Sequence, residues 1–389
     1  MSIYQVLQEE HRPQLKALLA QAFSVPQAFV DPWINRSGLP DWRGVIEGER
    51  LQSCLVLVPG GQWYNGRQVS MTGLAGVAVS AVDRSRGAGK RLMTGFLEEA
   101  FEQGTALSIL YGSTTGFYRS VGYERAGSVF SAELKIREIP KVTSSVEIRE
   151  LDWERDADEL KRFVFDHANH HGALVRETYL WSRMRQLQTI DAAGFGLYGE
   201  GGLEGYFYVV EKAGTLDERA LQVTDFLFST PEAVDGFLRY LFSQRSLCST
   251  ATLMTAPNSS VLLRLPDRWN YELCLHEHWM LRLVHLKNAL ESRGYPVGVT
   301  GQISLSVLDP VLSQNSGCWL LEIDNGRATL RPHSQGTVDI SITSLAALYS
   351  GFLSATELAR GGYLTGAGAQ ECDFLTRAFG PEAKLTELF

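Results

Sequence analysis

The stretch Gly76-Val-Ala-Val-Ser-Ala-Val-Asp-Arg-Ser-Arg-Gly-Ala-Gly-Lys-Arg91 decides the fold class. It starts as an apolar strand, continues as a basic turn that contains glycines, and ends as the beginning of a helix whose apolar residues keep helical spacing to position 101. A short, almost entirely apolar segment at 106–111 then predicts a strand that is buried on both faces. The order strand, turn, helix, strand is typical of an α/β fold.

The glycines and basic side chains of this turn predict an anion-binding site. Amide N–H groups at the start of a helix lack intrahelical acceptors, and the helix dipole is positive there. Gly87 and Gly89 allow the main chain to approach a pyrophosphate, while Arg84, Arg86 and Lys90 supply positive charge. A helix start with a basic surface turn and no ligand is the alternative explanation of the same residues.

Two common phosphate-binding motifs do not fit. A Walker A loop requires glycine where Arg84 stands and serine or threonine where Arg91 stands. The dinucleotide fingerprint requires glycine where Leu92 stands. The pattern that does fit is Arg84-x-x-Gly87-x-Gly89 after Val77-x-Val79.

The composition of the 389 residues is that of a globular protein, with 44% hydrophobic and 21% charged residues. A formal net charge of −8 disfavours binding to nucleic acid or to anionic membrane surfaces.

The first residues lack the pattern of a signal peptide, and no apolar run approaches the length of about 18 residues that a membrane span needs. The five cysteines are scattered and predict neither a disulfide framework nor a zinc site. We therefore expect a cytoplasmic protein with no metal, no nucleic-acid partner and no membrane partner.

The first segment is predicted to alternate helices and strands. Positions 11–23 carry leucines at helical spacing, and 51–58 and 68–82 read as strands. Turn signals stand between these strands at Pro59-Gly60-Gly61 and Asn65-Gly66.

The rest of the chain divides into two further segments. Residues 139–145 are mostly polar, include a proline and are predicted to form a linker. A helix is then predicted at 153–169, followed by strands and a second helix at 232–244. This order echoes the first segment, but Ser229-Thr-Pro-Glu232 stands where a glycine-rich turn would be expected, so we interpret the segment as scaffold. From about 285 onward, a helix, alternating strands and then helices rich in leucine and alanine form a third segment.

Two motifs of the first segment resemble those of GNAT-superfamily N-acetyltransferases. The Val77-x-Val79 strand with Arg84-x-x-Gly87-x-Gly89 is similar to their acyl-coenzyme A loop. Ser113-Thr-Thr-Gly-Phe-Tyr118-Arg-Ser-Val-Gly122-Tyr123 is similar to their Phe-Tyr-x-x-x-Gly-Tyr segment.

The third segment resembles sterol carrier proteins in three places: Ile303-Ser-Leu-Ser-Val-Leu-Asp-Pro310, Asn315-x-Gly317-x-Trp319 and Leu345-Ala-Ala-Leu-Tyr-x-Gly351. Together the three segments resemble Eis-like (enhanced intracellular survival) acetyltransferases. That resemblance implies an α/β (α+β) fold with a catalytic GNAT domain at 1–145, a degenerate GNAT-like domain at 146–284 and a sterol carrier protein-like domain at 285–389. It also implies a homo-oligomer, with a hexamer as the common form in that family.

The resemblance implies acetyl-CoA as co-substrate, bound by three groups of residues. The strand residues would pair their main chain with the pantetheine arm, the turn residues would hold the pyrophosphate, and a third group would contact the cofactor further along. In that order they are Val77, Ala78 and Val79; Ser85, Arg86, Gly87, Ala88, Gly89 and Lys90; and Ser113 and Thr114.

The resemblance also implies two catalytic residues. Tyr118 would protonate the departing thiolate, and the C-terminal carboxylate of Phe389 would act as general base, while the Val79 N–H would stabilise the oxyanion. Some family members carry an acidic residue just before the last position, where this chain has Leu388; Glu387 is one place removed. The acceptor therefore stays open among aminoglycosides, polyamines, other small amines and protein lysines.

Other readings of the sequence are weaker. His167 and His171 would lie one helical turn apart, and His276 and His278 would share one face of a strand, but neither pair has an identifiable third metal ligand. A non-catalytic protein that binds or senses acyl-CoA or lipid is the alternative to an enzyme. The acetyltransferase interpretation is preferred because the acyl-CoA loop, Tyr118 and an apolar terminus occur together.

Overall fold

The structure is a computed structural model that describes residues 2–214 and 219–389. Its first part combines six strands with four helices, and the predicted helix at 11–23 and strand at 106–111 are confirmed within one residue at each boundary. The elements are β1 (Ser2–Val6), α1 (Arg12–Phe23), α2 (Val30–Ser37), β2 (Trp42–Glu47), β3 (Arg50–Tyr64), β4 (Arg67–Val79), α3 (Ala88–Glu102), β5 (Leu107–Tyr111), α4 (Thr115–Arg119) and β6 (Glu124–Lys135).

The second part begins after residues 140–146, which form no helix or strand and overlap the predicted linker at 139–145. Its elements are β7 (Glu147–Glu150), α5 (Trp153–His167), β8 (Leu174–Val175), α6 (Thr178–Met184), β9 (Gln186–Leu187), β10 (Ile190–Asp191), β11 (Ala193–Gly199), β12 (Gly202–Lys212), β13 (Ala220–Phe228), α7 (Pro231–Ser243), β14 (Thr250–Thr255), α8 (Ser260–Leu263) and β15 (Tyr271–Leu283).

The third part is a small α+β unit. Its five strands form a separate sheet in the order β18-β17-β16-β19-β20, and its four helices include the almost fully apolar α10. The elements are α9 (Leu286–Ser292), β16 (Gly301–Leu308), β17 (Gly317–Asp324), β18 (Arg327–Pro332), β19 (Val338–Ser341), α10 (Ile342–Tyr349), α11 (Ala355–Arg360), β20 (Leu364–Thr365) and α12 (Ala369–Phe379).

One large sheet runs through the first two parts of the chain. Its order is β1-β2-β3-β4-β5-β15-β6-β14-β13-β12-β11-β7, with β8 added on β3. The strand β15 of the second part lies between β5 and β6 of the first part and is antiparallel to both. The two parts are therefore joined by main-chain hydrogen bonds, and the core of the first part is completed by Trp279, Met280 and Leu281 from the second.

Two local sequence predictions were wrong. Pro59, Gly60 and Gly61 form no turn, because β3 continues through them to Tyr64 and turns only at Asn65-Gly66. The glycines are needed there for close packing, since a Cβ on Gly60 would lie 2.9 Å from the Val175 carbonyl oxygen where β8 joins the sheet.

The second error concerns the end of β4. The strand stops at Val79 rather than continuing to 82, because Ala81–Asp83 form a 3-10 turn that leads into the basic loop. None of the helices among the described residues is long and apolar enough to span a membrane.

Candidate active site

A β-bulge in β4 marks the beginning of the candidate site. Cys54 pairs with Ala78 and Val56 pairs with Ala75, so that two residues of β4, Gly76 and Val77, oppose a single residue of β3. Gly76 has a φ of +58°, and a Cβ at this position would lie 3.0 Å from the rings of Trp33 and Trp42. Only glycine adopts this positive φ without strain and leaves room for the two rings, so the glycine at position 76 determines the bulge.

The bulge separates β4 from β5. These strands pair in parallel from Met71–Leu107 to Leu74–Leu110 and no further, whereas the other edge of β4 stays paired with β3 up to Val79–Ser53. From residue 75 to residue 79, main-chain groups on the β5 side therefore have no partner strand, and we call the space between the diverging strands the cleft.

The direction of the Val79 amide follows from its neighbour. The Ser80 N–H donates to the Gln52 carbonyl oxygen at 2.8 Å, toward β3. Because the N–H groups of successive residues in an extended strand point to opposite edges, the Val79 N–H points toward the cleft. A carbonyl oxygen placed between β4 and β5 could accept a hydrogen bond from it.

The basic loop is held by a buried carboxylate at its base. Asp83 is 2% exposed and accepts hydrogen bonds from Arg50, at 2.8 Å for one pair of atoms, and from Gln52. The hydrogen bonds from Arg50 lower the pKa of Asp83, which keeps the carboxylate charged. Ser85 and Gly87 then take positive φ angles of 62° and 83°, which bend the chain into the start of α3.

The start of α3 presents free amides, as the sequence predicted. The first main-chain bond runs from the Arg91 N–H to the Gly87 carbonyl, so the N–H groups of Ala88, Gly89 and Lys90 have no intrahelical acceptor, and no side chain caps them. Residues 84–87 and Lys90 are exposed. This loop fits a pyrophosphate, because converging amides and cations are the donors that such an anion needs.

Gly89 brings three elements of the site together. A Cβ on Gly89 would lie 3.2 Å from the Phe117 ring of α4 and 3.3 Å from Val79 Cγ2. The helix start, the end of β4 and the helix that carries Tyr118 therefore pack against one another. Ser113 and Thr114 are exposed between β5 and α4, next to this contact.

Tyr118 lies on α4 with a buried ring. The side chain is 6% exposed and packs on Gly112, where a Cβ would lie 2.8 Å from the Tyr118 ring. Within the described residues no hydrogen bond engages its hydroxyl group, and burial raises its pKa to about 12. The hydroxyl is thus a protonated donor at neutral pH.

The last residue of the chain reaches the point where β4 and β5 diverge. The Phe389 ring lies over Gly73 of β4 and in edge contact with Tyr111 of β5, with ring centroids 5.5 Å apart. The Tyr111 hydroxyl donates to the Glu387 carbonyl oxygen at 2.6 Å. Tyr111 and Gly112 are adjacent, so Phe389 and Tyr118 contact the same end of β5.

Glu387 does not offer a free carboxylate to a cationic ligand. It is 6% exposed, and its Oε1 accepts a hydrogen bond of 3.1 Å from Arg176, which also pairs with Asp225. Sequence reasoning missed Arg176, Asp225 and Tyr111. No local signal could have found them, because their partners are distant in sequence.

The other sequence candidates do not form a second site. The helix α5 ends at His167. His171 therefore does not lie one helical turn from His167, contrary to the prediction. Among the described residues, no group of three or more His, Cys, Asp or Glu side chains could hold a metal ion. The start of α7 is capped by the Thr230 hydroxyl and carries Pro231, so it offers fewer free amides than α3 does.

Comparisons with known protein families agree with the fold. Residues 4–126 match a GNAT acetyltransferase domain family, residues 172–283 match another GNAT acetyltransferase domain family, and residues 286–385 match a sterol carrier protein domain family. No curated protein matches the chain.

Solved structures resemble the chain over its whole length. A GCN5-related N-acetyltransferase from Anabaena variabilis has 27% identity and a TM-score of 0.93, with 98% of each chain covered. A probable N-acyltransferase from Enterococcus faecalis has 21% identity and a TM-score of 0.88, with 100% of each chain covered. Eis1 from Mycobacterium abscessus shares the fold at 16% identity, with a TM-score of 0.79 over 100% of this chain and 99% of that one.

The chain is thus an acyltransferase built on tandem GNAT domains. With the sterol carrier protein domain that follows them, its architecture is Eis-like.

Proposed function

We propose that this protein is an acetyl-CoA-dependent N-acetyltransferase that acetylates primary amines by direct attack on the thioester. The observation that carries the proposal is the cleft between β4 and β5. The free amides of α3 lie at one end of this cleft, and Tyr118 and Phe389 lie where the two strands diverge. GNAT acetyltransferases use acetyl-CoA, which is the co-substrate such a cleft accommodates.

Three groups of residues bind acetyl-CoA in this proposal. The main chain of the β4 end pairs with the pantetheine arm as a strand would, and the loop and helix start hold the pyrophosphate through amides and cations. Ser113 and Thr114 contact the cofactor beyond the pantetheine. The first two groups are Val77, Ala78 and Val79, and Ser85, Arg86, Gly87, Ala88, Gly89 and Lys90.

Two donors act on the thioester. The Val79 N–H stabilises the negative charge that develops on the carbonyl oxygen as the amine attacks. Tyr118 donates its proton to the sulfur as the carbon–sulfur bond breaks, and its high pKa ensures that the hydroxyl still carries this proton at neutral pH.

The carboxylate of Phe389 acts as general base. It accepts a proton from the acceptor ammonium, directly or through water, so that a neutral amine forms the new nitrogen–carbon bond. A free α-carboxyl group has an unperturbed pKa of about 3.3–3.7, so burial has to raise its basicity. The contact of the Phe389 ring with Gly73 and Tyr111 supports this role, because it places the terminal residue at the cleft.

The acceptor class is tested by thiol release from acetyl-CoA. Protein with an untagged C-terminus is assayed with aminoglycosides, polyamines, arylalkylamines and lysine peptides, and without acceptor. Release that depends on an acceptor is expected. If no acceptor gives release while acetyl-CoA still binds in a calorimeter, the protein is a sensor of acyl-CoA rather than an enzyme.

The base is tested by a short extension after Phe389. Three added residues move the carboxylate away from the cleft, so turnover is expected to fall to background while acetyl-CoA affinity stays near normal. Undiminished turnover of the extended protein would contradict the assignment of Phe389.

We expect a homo-oligomer in the cytoplasm, because the Eis-like architecture suggests assembly and all five cysteines are free thiols. Analytical ultracentrifugation of the untagged protein tests the assembly, and a sedimentation mass of one chain at micromolar concentration would contradict it.

A further inference from the structure

The last nine residues have no regular secondary structure, and a few contacts fix their path. Residues 381–389 follow α12 and form no helix or strand. The Ala383 N–H donates to the Ser350 carbonyl at 2.7 Å, and the Lys384 N–H donates to the His171 carbonyl at 2.8 Å. The segment therefore starts on the sterol carrier protein domain and passes the second GNAT domain before it reaches the cleft.

The main-chain carbonyl and the side-chain carboxylate of Glu387 accept hydrogen bonds from different domains. Its carbonyl oxygen accepts a 2.6 Å hydrogen bond from Tyr111 of the first GNAT domain. Its side-chain Oε1 accepts a 3.1 Å hydrogen bond from Arg176 of the second GNAT domain. These two contacts fix the position of this residue, which lies only two residues before Phe389.

Arg176 is itself immobilised. Its guanidinium donates to both carboxylate oxygens of Asp225, at 2.6 and 2.9 Å, and to the Tyr206 hydroxyl at 2.9 Å. It also lies over the Trp181 ring, and its side chain is only 5% exposed. A buried, bidentate arginine is a rigid donor, so its hydrogen bond to Glu387 transmits a fixed position to the tail.

Charge balance indicates that Glu387 is not needed to stabilise this cluster. The single cation Arg176 faces two carboxylates, Asp225 and Glu387, and Asp225 alone suffices to neutralise it. Removal of Arg176 would leave two buried carboxylates without a counterion, which is strongly destabilising. Removal of the Glu387 carboxylate leaves the ion pair of Arg176 and Asp225 intact, so the tail contact can be tested without loss of the fold.

We propose that Arg176 is a positioning residue for the reaction: through Glu387, and together with Tyr111, it places the Phe389 carboxylate at the cleft. This inference rests on the proposed role of that carboxylate as general base. It gives the second GNAT domain a role in catalysis although that domain lacks the acyl-CoA loop. Two residues span at most about 7 Å, so a fixed Glu387 strictly limits where the carboxylate can lie.

Three tail variants test the proposal. Glu387→Ala removes the side-chain anchor. Glu387→Gln keeps an oxygen that accepts the Arg176 hydrogen bond but carries no charge. Glu382→Ala is the matched control, because Glu382 is exposed in the same segment. For each protein we measure kcat with the best acceptor, the acetyl-CoA Kd by calorimetry, and Tm.

We expect the loss of the side-chain anchor to lower kcat without changing acetyl-CoA affinity or thermal stability. A displacement of a reacting group by about 1 Å can cost about 100-fold in rate, so Glu387→Ala is expected to lower kcat by about that factor. Its acetyl-CoA Kd and Tm stay near those of the unaltered protein. Glu387→Gln retains most of the activity, and Glu382→Ala retains all of it.

Each contrary outcome has a distinct meaning. Unchanged kcat in Glu387→Ala overturns the anchor, and so does a Glu387→Gln variant as inactive as Glu387→Ala, because the hydrogen bond would then not be the relevant contact. The protein extended after Phe389 is assayed in parallel. If the extended protein is inactive and Glu387→Ala is active, only the anchor fails; if the extended protein is active, the terminal base itself is wrong.

Discussion

The ring of Phe389 lies directly over Gly73, at the last part of β4 that is still paired with β5. A Cβ at Gly73 would lie 2.7 Å from Phe389 Cε2, closer than a real Cβ atom approaches a neighbour. The absence of a side chain on β4 therefore creates the space in which the terminal residue lies. This contact links a strand of the first GNAT domain to the end of the third domain.

Substitution of Gly73 by alanine is expected to displace Phe389 while leaving the sheet intact. We predict that Gly73→Ala lowers kcat by about 100-fold, because the carboxylate that we propose as general base would move with the Phe389 ring. The acetyl-CoA Kd, measured by calorimetry, should change little. Gly298→Ala is the control, since nothing lies within 4 Å of a Cβ there. Equal kcat values for the two variants would show that the ring contact does not position the terminus.

Removal of the Tyr118 hydroxyl should affect the chemical step alone. Tyr118→Phe keeps the ring that packs on Gly112 and is expected to reduce kcat by about 100-fold or more, the usual contribution of a general acid. The Kd of acetyl-CoA should stay within a factor of about two, because no proton is transferred on binding. A variant with normal kcat would exclude Tyr118 as the proton donor.

The pH dependence of the unaltered enzyme provides a separate test of Tyr118. Burial raises the pKa of its hydroxyl to about 12, and the protonated form is the one that we propose as the proton donor. Activity that depends on this proton is therefore retained below that pH and lost only as pH rises through about 12. We predict that kcat, measured with saturating substrates, shows no alkaline decrease between pH 8 and about 10, the range up to the unperturbed tyrosine pKa. A decrease in that range that disappears in Tyr118→Phe would contradict this prediction.

Lys90 should contribute to cofactor affinity and not to the chemical step. It is exposed at the start of α3, where the free amides are expected to hold the pyrophosphate. We predict that Lys90→Ala raises the acetyl-CoA KM by about tenfold, the effect of one charge-assisted contact, with kcat nearly unchanged. Lys287→Ala, an exposed lysine on α9, is the control. The difference in KM between Lys90→Ala and the unaltered enzyme should diminish at high salt. A KM that this substitution leaves unaffected would indicate that the loop binds no anion.

Local patterns in the sequence predicted the shape of the basic loop at 84–90, because neighbouring residues determine that shape. The positive φ angles at Ser85 and Gly87, the free amides of α3 and the apolar strand before them all lie within a short stretch of chain. The anchor of the tail could not be predicted in this way. Arg176 is 211 residues from Glu387 and Tyr111 is 276 residues from it, so only the tertiary fold brings them together.

The misread Pro59-Gly60-Gly61 segment illustrates the same limit. Glycines are ambiguous signals, because they serve turns and close packing equally well. Here the packing partner is Val175 of β8, which belongs to a different domain and leaves no trace near Gly60 in the sequence.

The number of acetyl-CoA molecules bound per chain tests whether the second GNAT domain is a scaffold. The strands β13 and β14 pair in parallel only over residues 220–222 and 250–252, so this domain also has diverging strands. However, its helix α7 starts with Pro231, which has no N–H, and the Thr230 hydroxyl occupies the Ala233 amide. Few free N–H groups are therefore available there to bind a pyrophosphate.

We therefore predict that calorimetry detects one acetyl-CoA bound per chain. That single site should be lost in a variant in which Gly87, Gly89 and Lys90 are all replaced. Binding of a second equivalent that survives this triple change would show that the second domain has its own acyl-CoA site.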